Sequence, residues 1–263
     1  MTSKIESVQN EKIKAVVKLA LSSKERASRG LFFLEGLRLC GDALNSSLSI
    51  DTLFYTAQGL EKHSETVRAL SAAAKNTYEV SPAVAKKLSQ TQSPQGIFCL
   101  VQTALLRKAD DVRYSCKYVA LENIQDPANL GAIIRTAEAL GVHGAILCGC
   151  CDVYNPKALR ASMGSLLRLP LFQCDDLPQT LQQCTAHGMR AFATTPDETA
   201  KKITQCTLTG GVILVIGNEG NGVTGQTMSV CERVTIPMLG RAESLNASMA
   251  AAIAMWEMMK QHS

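Results

Sequence analysis

The chain has 263 residues, 46% of them hydrophobic, with ten cysteines and a formal net charge of +4 at pH 7. Such a length buries one large core or two ordinary ones, and two domains are expected. No apolar run reaches transmembrane length, and Met1 to Lys14 is polar and mixed in charge, unlike a signal peptide, so a cytoplasmic protein with no membrane partner is expected.

The charge is unevenly divided. Residues 1–105 hold 13 Lys and Arg against 9 Asp and Glu, whereas residues 106–263 hold 14 of each kind. Within the first 29 residues, Lys4, Lys12, Lys14, Lys18, Lys24, Arg26 and Arg29 stand against Glu6, Glu11 and Glu25. A basic segment of this kind suits either a phosphate backbone or a solvated helix face, and the charges alone favour the second. The cysteines are spread through apolar segments, as Cys99, Cys148 and Cys206 are, which reads as reduced core thiols. The one cluster, Cys148-Gly149-Cys150-Cys151, lacks a second Cys or His pair at zinc-site spacing, with only Cys184 and His187 farther along, so no metal site is expected.

The first part alternates between helix and strand. Helices are predicted from about Lys12 to Ser22, through Leu37 to Leu44, from Glu61 to Ala74 and from Pro82 onward. Strands are predicted at Leu31 to Leu34, Ile50 to Tyr55, Tyr78 to Val80 and Gly96 to Val101, completing a small α/β domain over residues 1–102. Residues 103–116 lose the apolar pattern and mix charges, and read as a linker. From 117 to 263, strands at Tyr118 to Glu122, Ala145 to Cys148, Arg190 to Thr194, Val212 to Gly217 and Arg233 to Pro237 alternate with helices. That rhythm requires crossover connections, hence a parallel sheet covered on both faces.

Polar residues gather where these strands end. After Glu122 comes a loop through Asp126-Pro127-Ala128-Asn129, then a helix with apolar face Leu130, Ile133, Ile134, Ala137 and Leu140. Asn129 is the natural cap of that helix and Gly141 the natural residue past its end. Asn129 and Arg135 either face the carboxyl edge of the sheet, with Arg135 gripping a phosphate or orienting a hydroxyl, or are structural, with Arg135 paired to Glu138. Farther on, Gly217-Asn218-Glu219-Gly220-Asn221-Gly222 follows a late strand. Its spacing is wrong for a dinucleotide fingerprint and no acid follows at ribose-binding distance, so a nicotinamide site is not expected. A tight turn accounts for the Asn-Gly pairs but not for Glu219, a carboxylate among glycines.

In the last helix, Leu245, Met249, Ala252, Trp256 and Met259 form an apolar stripe. Ala247, Ala251 and Ala254 form a small-residue face suited to close packing on a sheet or a second subunit. Ser244 is available as its cap, which leaves the amide of Asn246 for a ligand. Lys157 and Arg160, between Asn155 and Ser165, suit phosphate or solvent, and by themselves favour solvent.

In order along the chain, Asn129-x-Gly131-x-x-x-Arg135, Gly217-Asn218-Glu219-Gly220, and Ile236-Pro237-Met238 followed by Ser244-Leu245-Asn246-Ala247-Ser248 resemble the three motifs of the SpoU/TrmH-type RNA ribose methyltransferases of the SPOUT class. The resemblance covers residues 117–258, and Asn155 to Ser165 is similar to the family's intermediate region. Residues 1–102, with Asn10, Lys12, Lys14, Arg26, Gly30, Phe33, Glu35, Gly36 and Arg38, resemble its N-terminal substrate-binding domain more diffusely.

The resemblance implies a C-terminal parallel-sheet α/β domain with a trefoil knot over residues 117–263, preceded by a small α/β substrate-binding domain. It implies S-adenosyl-L-methionine held in the knotted loops, with Gly217, Ile236 and Leu245 at the family's cofactor contacts and Thr194 at a strand end nearby. It also implies a homodimer with active sites built at the subunit interface. The implied reaction is methyl transfer to a ribose 2′-hydroxyl. A guanidinium stays protonated and is a poor base, so Arg135 is expected to orient the ribose and its phosphate and to stabilise developing negative charge. Asn129 is then expected to position Arg135, with Glu219 and Asn246 holding the arginine or the nucleotide.

On the same resemblance, Lys12, Lys14, Lys24, Arg26, Arg38, Lys157 and Arg160 become the expected RNA contacts. Ribosomal RNA is favoured over transfer RNA, because chains with this N-terminal domain usually resemble rRNA enzymes. The rival readings are a tRNA ribose or base methyltransferase and a catalytically silent RNA-binding module. The Arg135 motif argues for ribose, and the complete set of Asn129, Arg135, Glu219 and Asn246 argues against the silent module.

Overall fold

The structure, a computed structural model, describes residues 3–104 and 106–260. They form two compact units: 3–104 with Tyr154–Leu167, and 106–153 with 168–260. No helix among the described residues is long and apolar enough to cross a membrane.

In the first unit, strands β1 (Ser3–Ile5), β2 (Leu31–Glu35), β3 (Ile50–Tyr55), β4 (Asn76–Val80) and β5 (Ile97–Gln102) make one sheet in the order β1-β4-β3-β5-β2. Strand β5 runs antiparallel to both its neighbours and the other pairs are parallel. The connecting helices are α1 (Glu11–Leu21), α2 (Ser23–Arg29), α3 (Leu37–Leu44), α4 (Ala57–Lys62), α5 (Ser64–Ala73) and α6 (Pro82–Leu88). Helix α1 begins where Asn10 accepts from the Lys12 amide at 2.9 Å. Its Ile13, Val16, Leu19 and Ala20, three and four apart, bury against Phe33, Phe54 and Phe98 of the sheet.

Two expectations change here. The helix read from Glu61 to Ala74 is two helices, because Thr56 caps an earlier start through Gly59 N at 3.0 Å and the chain turns at His63. Helix α2 was missed because its sequence shows no apolar face; it is set by the Ser22 cap at one end and left-handed Gly30, φ 62°, at the other.

In the second unit, strands β6 (Arg107–Lys108), β7 (Lys117–Glu122), β8 (Gly144–Cys148), β9 (Leu171–Gln173), β10 (Arg190–Thr194), β11 (Lys201–Lys202), β12 (Val212–Ile216) and β13 (Glu232–Thr235) lie in the order β11-β13-β10-β12-β7-β8-β9-β6. Every neighbouring pair is parallel, as the sequence rhythm requires. Part of the stretch read as a linker therefore supplies an edge strand, β6. Helices α7 (Pro127–Ala139), α9 (Leu177–Ala186), α10 (Gly225–Ser229) and α11 (Ala247–Lys260) belong to this unit, while α8 (Pro156–Ser162) belongs to the first.

Strands β7 and β12 are buried at every residue, consistent with a sheet covered on both faces. Even Lys117 is fully buried; its ammonium donates to the Met258 carbonyl at 2.7 Å, tying off the end of α11, and burial pushes its pKa down. Late strand β12 is inserted between β7 and β10, so loops from distant parts of the sequence meet at one carboxyl edge.

Helix α11 packs against α7 and β12. Its small-residue face, Ala247, Ala251 and Ala254, is buried inside the chain with Met255 and Met258. The face left open is Met249, Ile253 and Trp256, exposed by 56%, 44% and 61%. The alanine face is thus not the one available to a second subunit.

Candidate active site

Helix α7 starts three residues earlier than its sequence suggests. Asp126 is the cap, accepting from Ala128 N at 2.9 Å, and Pro127 takes the first helical position. This places Asn129 inside the first turn, where it is 9% exposed and its amide is released from capping. Asn129 Nδ2 donates to Glu219 Oε1 at 3.0 Å, and Asn129 Oδ1 accepts from Asn246 Nδ2 at 3.1 Å. Three motifs separated by about ninety and then thirty residues are joined side chain to side chain.

Asn246 has the role the sequence reading gave to Ser244. Its Oδ1 accepts from Ser248 N at 2.9 Å and Ser248 Oγ at 2.6 Å, so it caps α11 while its amide reaches Asn129. Asn129, read as a natural cap, is the relay, and Asn246, read as free for a ligand, is the cap.

Glu219 sits at the end of this relay, on the loop after β12. Besides Asn129, it accepts from Asp126 N at 3.2 Å, Gln125 N at 3.3 Å and Asn218 Nδ2 at 3.4 Å. Partial burial works to raise its pKa, but the donors from Asn129 and the backbone outweigh this and hold the carboxyl below its ordinary value. The loop itself is built by Asn218, which the sequence did not single out. Asn218 Oδ1 accepts from Gly220 N at 2.9 Å and Asn221 N at 3.1 Å, and its amide donates to Asn123 O at 2.8 Å. Its backbone also pairs with Gly222 in both directions. A side chain on Gly217 would lie 2.1 Å from the Gly222 carbonyl carbon, so only glycine permits this closure.

A second unforeseen anchor is Glu122, 4% exposed at the end of β7. It accepts from Thr224 N at 2.7 Å, Thr224 Oγ1 at 2.9 Å and Thr227 Oγ1 at 2.5 Å, fixing the chain just past the glycine loop. The sequence signal was present in the Thr224-x-x-Thr227 capping pattern, but not its distant acidic partner.

Beside the relay lies a cleft of ≈ 250 Å³ at the carboxyl ends of β10, β12 and β13. Thr194, Gly217, Ile236 and Leu245, the four expected cofactor contacts, all line it, with Met238 and Pro196. Apolar side chains, open backbone groups and the Glu219 carboxylate at the rim suit an adenosyl group carrying a sulfonium. Burial pushes the nearby thiols of Cys150 and Cys151 up to about 12 and about 11, so neither supplies a thiolate nucleophile. All ten cysteines are free thiols, four of them buried and six half-buried.

Arg135 stands apart from the relay. It lies about a third of a turn round α7 from Asn129, is exposed, and makes no hydrogen bond or ion pair among the described residues. Its alternative partner is taken: Glu138 receives a two-pronged contact from Arg168 at 2.5 and 2.8 Å. The structure therefore unites Asn129, Glu219 and Asn246, and leaves Arg135 available.

The basic residues of the first unit also divide. Lys12, Lys14, Lys24, Arg38 and Lys157 are exposed, and Arg160 donates to Gln90 at 2.9 Å. Arg26 is 3% exposed and donates to Leu19 O and Ala20 O at 2.8 and 2.9 Å. It closes the carboxyl end of α1 and is not available to RNA, which corrects its place among the expected contacts.

A parallel α/β unit with a glycine-closed cleft at a topological switch, and a carboxamide–carboxylate relay at its rim, defines a ligand-binding site. Residues 117–256 match the SpoU rRNA methylase family and residues 10–99 match the MRM3-like substrate-binding domain. The chain belongs to the SpoU rRNA methylase family. It is 32% identical to an uncharacterised tRNA/rRNA methyltransferase of Synechocystis, over 98% of this chain and 93% of that one. It is 29% identical to the 23S rRNA (guanosine(2553)-2′-O)-methyltransferase RlmP of Bacillus subtilis, over 97% of this chain and 98% of the relative. An AdoMet-bound rRNA methyltransferase from Sinorhizobium meliloti superposes with a TM-score of 0.88 at 28% identity, covering 99% of this chain and 98% of that structure.

Proposed function

We propose that this chain transfers a methyl group from S-adenosyl-L-methionine to a ribose 2′-hydroxyl of ribosomal RNA. The observation that carries the reading is the hydrogen-bonded relay from Glu219 through Asn129 to Asn246, set at the rim of a cleft lined by Thr194, Gly217, Ile236 and Leu245. The 23S rRNA 2′-O-methyltransferase of Bacillus subtilis among the relatives supports the same reaction and substrate.

The cofactor supplies a methyl that is already electrophilic, so the protein's work is alignment and management of the hydroxyl's charge. Glu219, ionised and held by four donors, keeps the glycine loop and the start of α7 in register. Asn246 couples the start of α11 to the same point. Arg135 orients the ribose and its phosphate and stabilises negative charge as the hydroxyl attacks. Residues 117–263 form the methyltransferase domain and carry the family's trefoil knot, and residues 1–102 bind RNA, with Lys12, Lys14, Lys24, Arg38, Lys157 and Arg160 as phosphate contacts. The protein works in the cytoplasm as a homodimer, with the open Met249, Ile253 and Trp256 face of α11 as the contact.

The test is methyl incorporation from labelled cofactor into rRNA of cells lacking this gene, with 2′-O-methylation then mapped along the RNA. One strong new site in rRNA and none in tRNA is expected. Absence of cofactor binding in calorimetry would favour the silent module instead.

A further inference from the structure

The first unit holds a cleft of ≈ 240 Å³ that methyl transfer does not use. Its floor is aromatic: Tyr78 stacks on Phe54 with ring centroids 5.7 Å apart. Ala15 and Val16 of α1 form one wall. Besides Tyr78, five polar residues stand round it: Lys12, Arg29, Asp51, Thr52 and Asn76, with Arg29 paired through its Nε to Glu25 at 3.2 Å.

Several of these groups have spare capacity. Lys12 holds its ammonium 5.4 Å from the Tyr78 centroid and has no carboxylate partner among the described residues. Tyr78 Oη and Asn76 Oδ1 likewise make no hydrogen bond there. Asp51 uses only Oδ2, accepting from Thr52 Oγ1 at 2.8 Å, so Oδ1 remains an open acceptor.

The combination matches one chemistry. A flat π-surface takes a base, the amide and carboxylate oxygens read an edge bearing an exocyclic amino group, and two cations take a phosphate. The volume lies just below the range for drug-sized ligands and so suits a single nucleoside. A duplex keeps its bases stacked inside, so only an unpaired residue enters.

We infer that this cleft receives one unpaired, amino-bearing nucleotide of the RNA substrate. Its base lies on Tyr78, its edge faces Asp51 and Asn76, and its phosphate sits between Lys12 and Arg29. Lys12 leaves the ring for the phosphate as the base arrives. The inference rests on the RNA reading above and adds where and how that RNA is read.

The experiment uses the full chain, with binding measured for pentaadenylate, pentauridylate, adenosine monophosphate and an rRNA fragment. Two opposite variants probe the cleft: Tyr78→Ala removes the stacking surface, and Ala15→Phe fills the space while removing no contact. Both should weaken pentaadenylate binding by about 10- to 100-fold, and Lys12→Ala should lower its salt slope by about 0.7. Pentauridylate should bind more weakly than pentaadenylate, and the monophosphate far more weakly. If wild-type protein binds no rRNA, the RNA reading itself fails. If it binds rRNA while Tyr78→Ala and Ala15→Phe bind pentaadenylate as wild type does, the cleft proposal is overturned. Monophosphate binding as tight as pentaadenylate, lost in Ala15→Phe with rRNA affinity unchanged, would assign the cleft to a free nucleotide and overturn its use for RNA.

Discussion

Asn129 joins Glu219 and Asn246 by two hydrogen bonds of 3.0 and 3.1 Å, one from each end of its amide. The amide has a defined polarity: its nitrogen must face the carboxylate and its oxygen the second asparagine. That polarity makes the charge on Glu219 a structural requirement of the whole site.

The carboxyl of Glu219 is held below its ordinary value of 4.5, so the folded state favours the ionised form. A depressed folded pKa gives stabilisation that is full above the unfolded value and is lost as pH falls through the folded one. Cofactor affinity should therefore stay level from neutrality down to about the ordinary glutamate range and fall only below it. Glu219→Gln presents an N–H to donors already aimed at that position. Its affinity should be lower and nearly independent of pH, as a calorimetric titration across the acid range would show.

Asn246 carries two tasks that substitution separates. Asn246→Asp keeps an oxygen for Ser248 and so keeps the cap, but removes the amide donated to Asn129. Asn246→Ala removes both, at a cost of about 1 kcal/mol for the cap. Thermal unfolding should place the Asp protein near wild type and the Ala protein lower, while methyl transfer is severely reduced in both. Normal turnover in the Asp protein would show that the bond to Asn129 is dispensable.

The sequence revealed the parallel sheet because β7, β8, β10 and β12 read as short apolar runs separated by helical segments, whereas the four expected cofactor contacts came from the family resemblance, and of these Thr194, Gly217 and Ile236 lie at strand ends while Leu245 precedes α11. It misassigned the caps because Asp126, Asn129, Ser244 and Asn246 are all good cap types, and only tertiary partners decide among them. Glu122 and Asn218 stayed hidden for the same reason. The carboxylate of Glu122 meets Thr224 and Thr227 across about a hundred residues, and no local pattern records that. Helix α2 was invisible because its one buried side chain is an arginine, which a reading of apolar periodicity discards.

That arginine gives a contrasting pair. Arg26 and Lys24 lie on the same short helix with the same charge, one buried on carbonyl oxygens and the other in solvent. Arg26→Met should lower stability by about 2 kcal/mol, because the last carbonyls of α1 lose charged donors. RNA affinity of the folded fraction and its salt slope should be unchanged. Lys24→Ala should leave stability within experimental error and reduce the salt slope instead. Denaturant titration combined with binding at several salt concentrations separates the two, and equal effects on RNA would return Arg26 to the contact surface.

Arg135 tests the proposed assembly. It projects from α7 with no hydrogen-bond or ion-pair partner among the described residues, and the neighbouring helix α11 leaves Met249, Ile253 and Trp256 open. Trp256→Glu with Ile253→Asp should convert a dimer to monomers in sedimentation and abolish methyl transfer while leaving the fold intact. If Arg135 completes the site of the partner subunit, Arg135→Ala and Asn129→Ala proteins are each inactive as homodimers. Mixed and reassociated, they form heterodimers in which one site draws intact Asn129 from one subunit and intact Arg135 from the other. Random pairing should then restore about a quarter of wild-type activity. No recovery, in a mixture shown by sedimentation to have exchanged subunits, would place Arg135 and Asn129 in the same subunit's site.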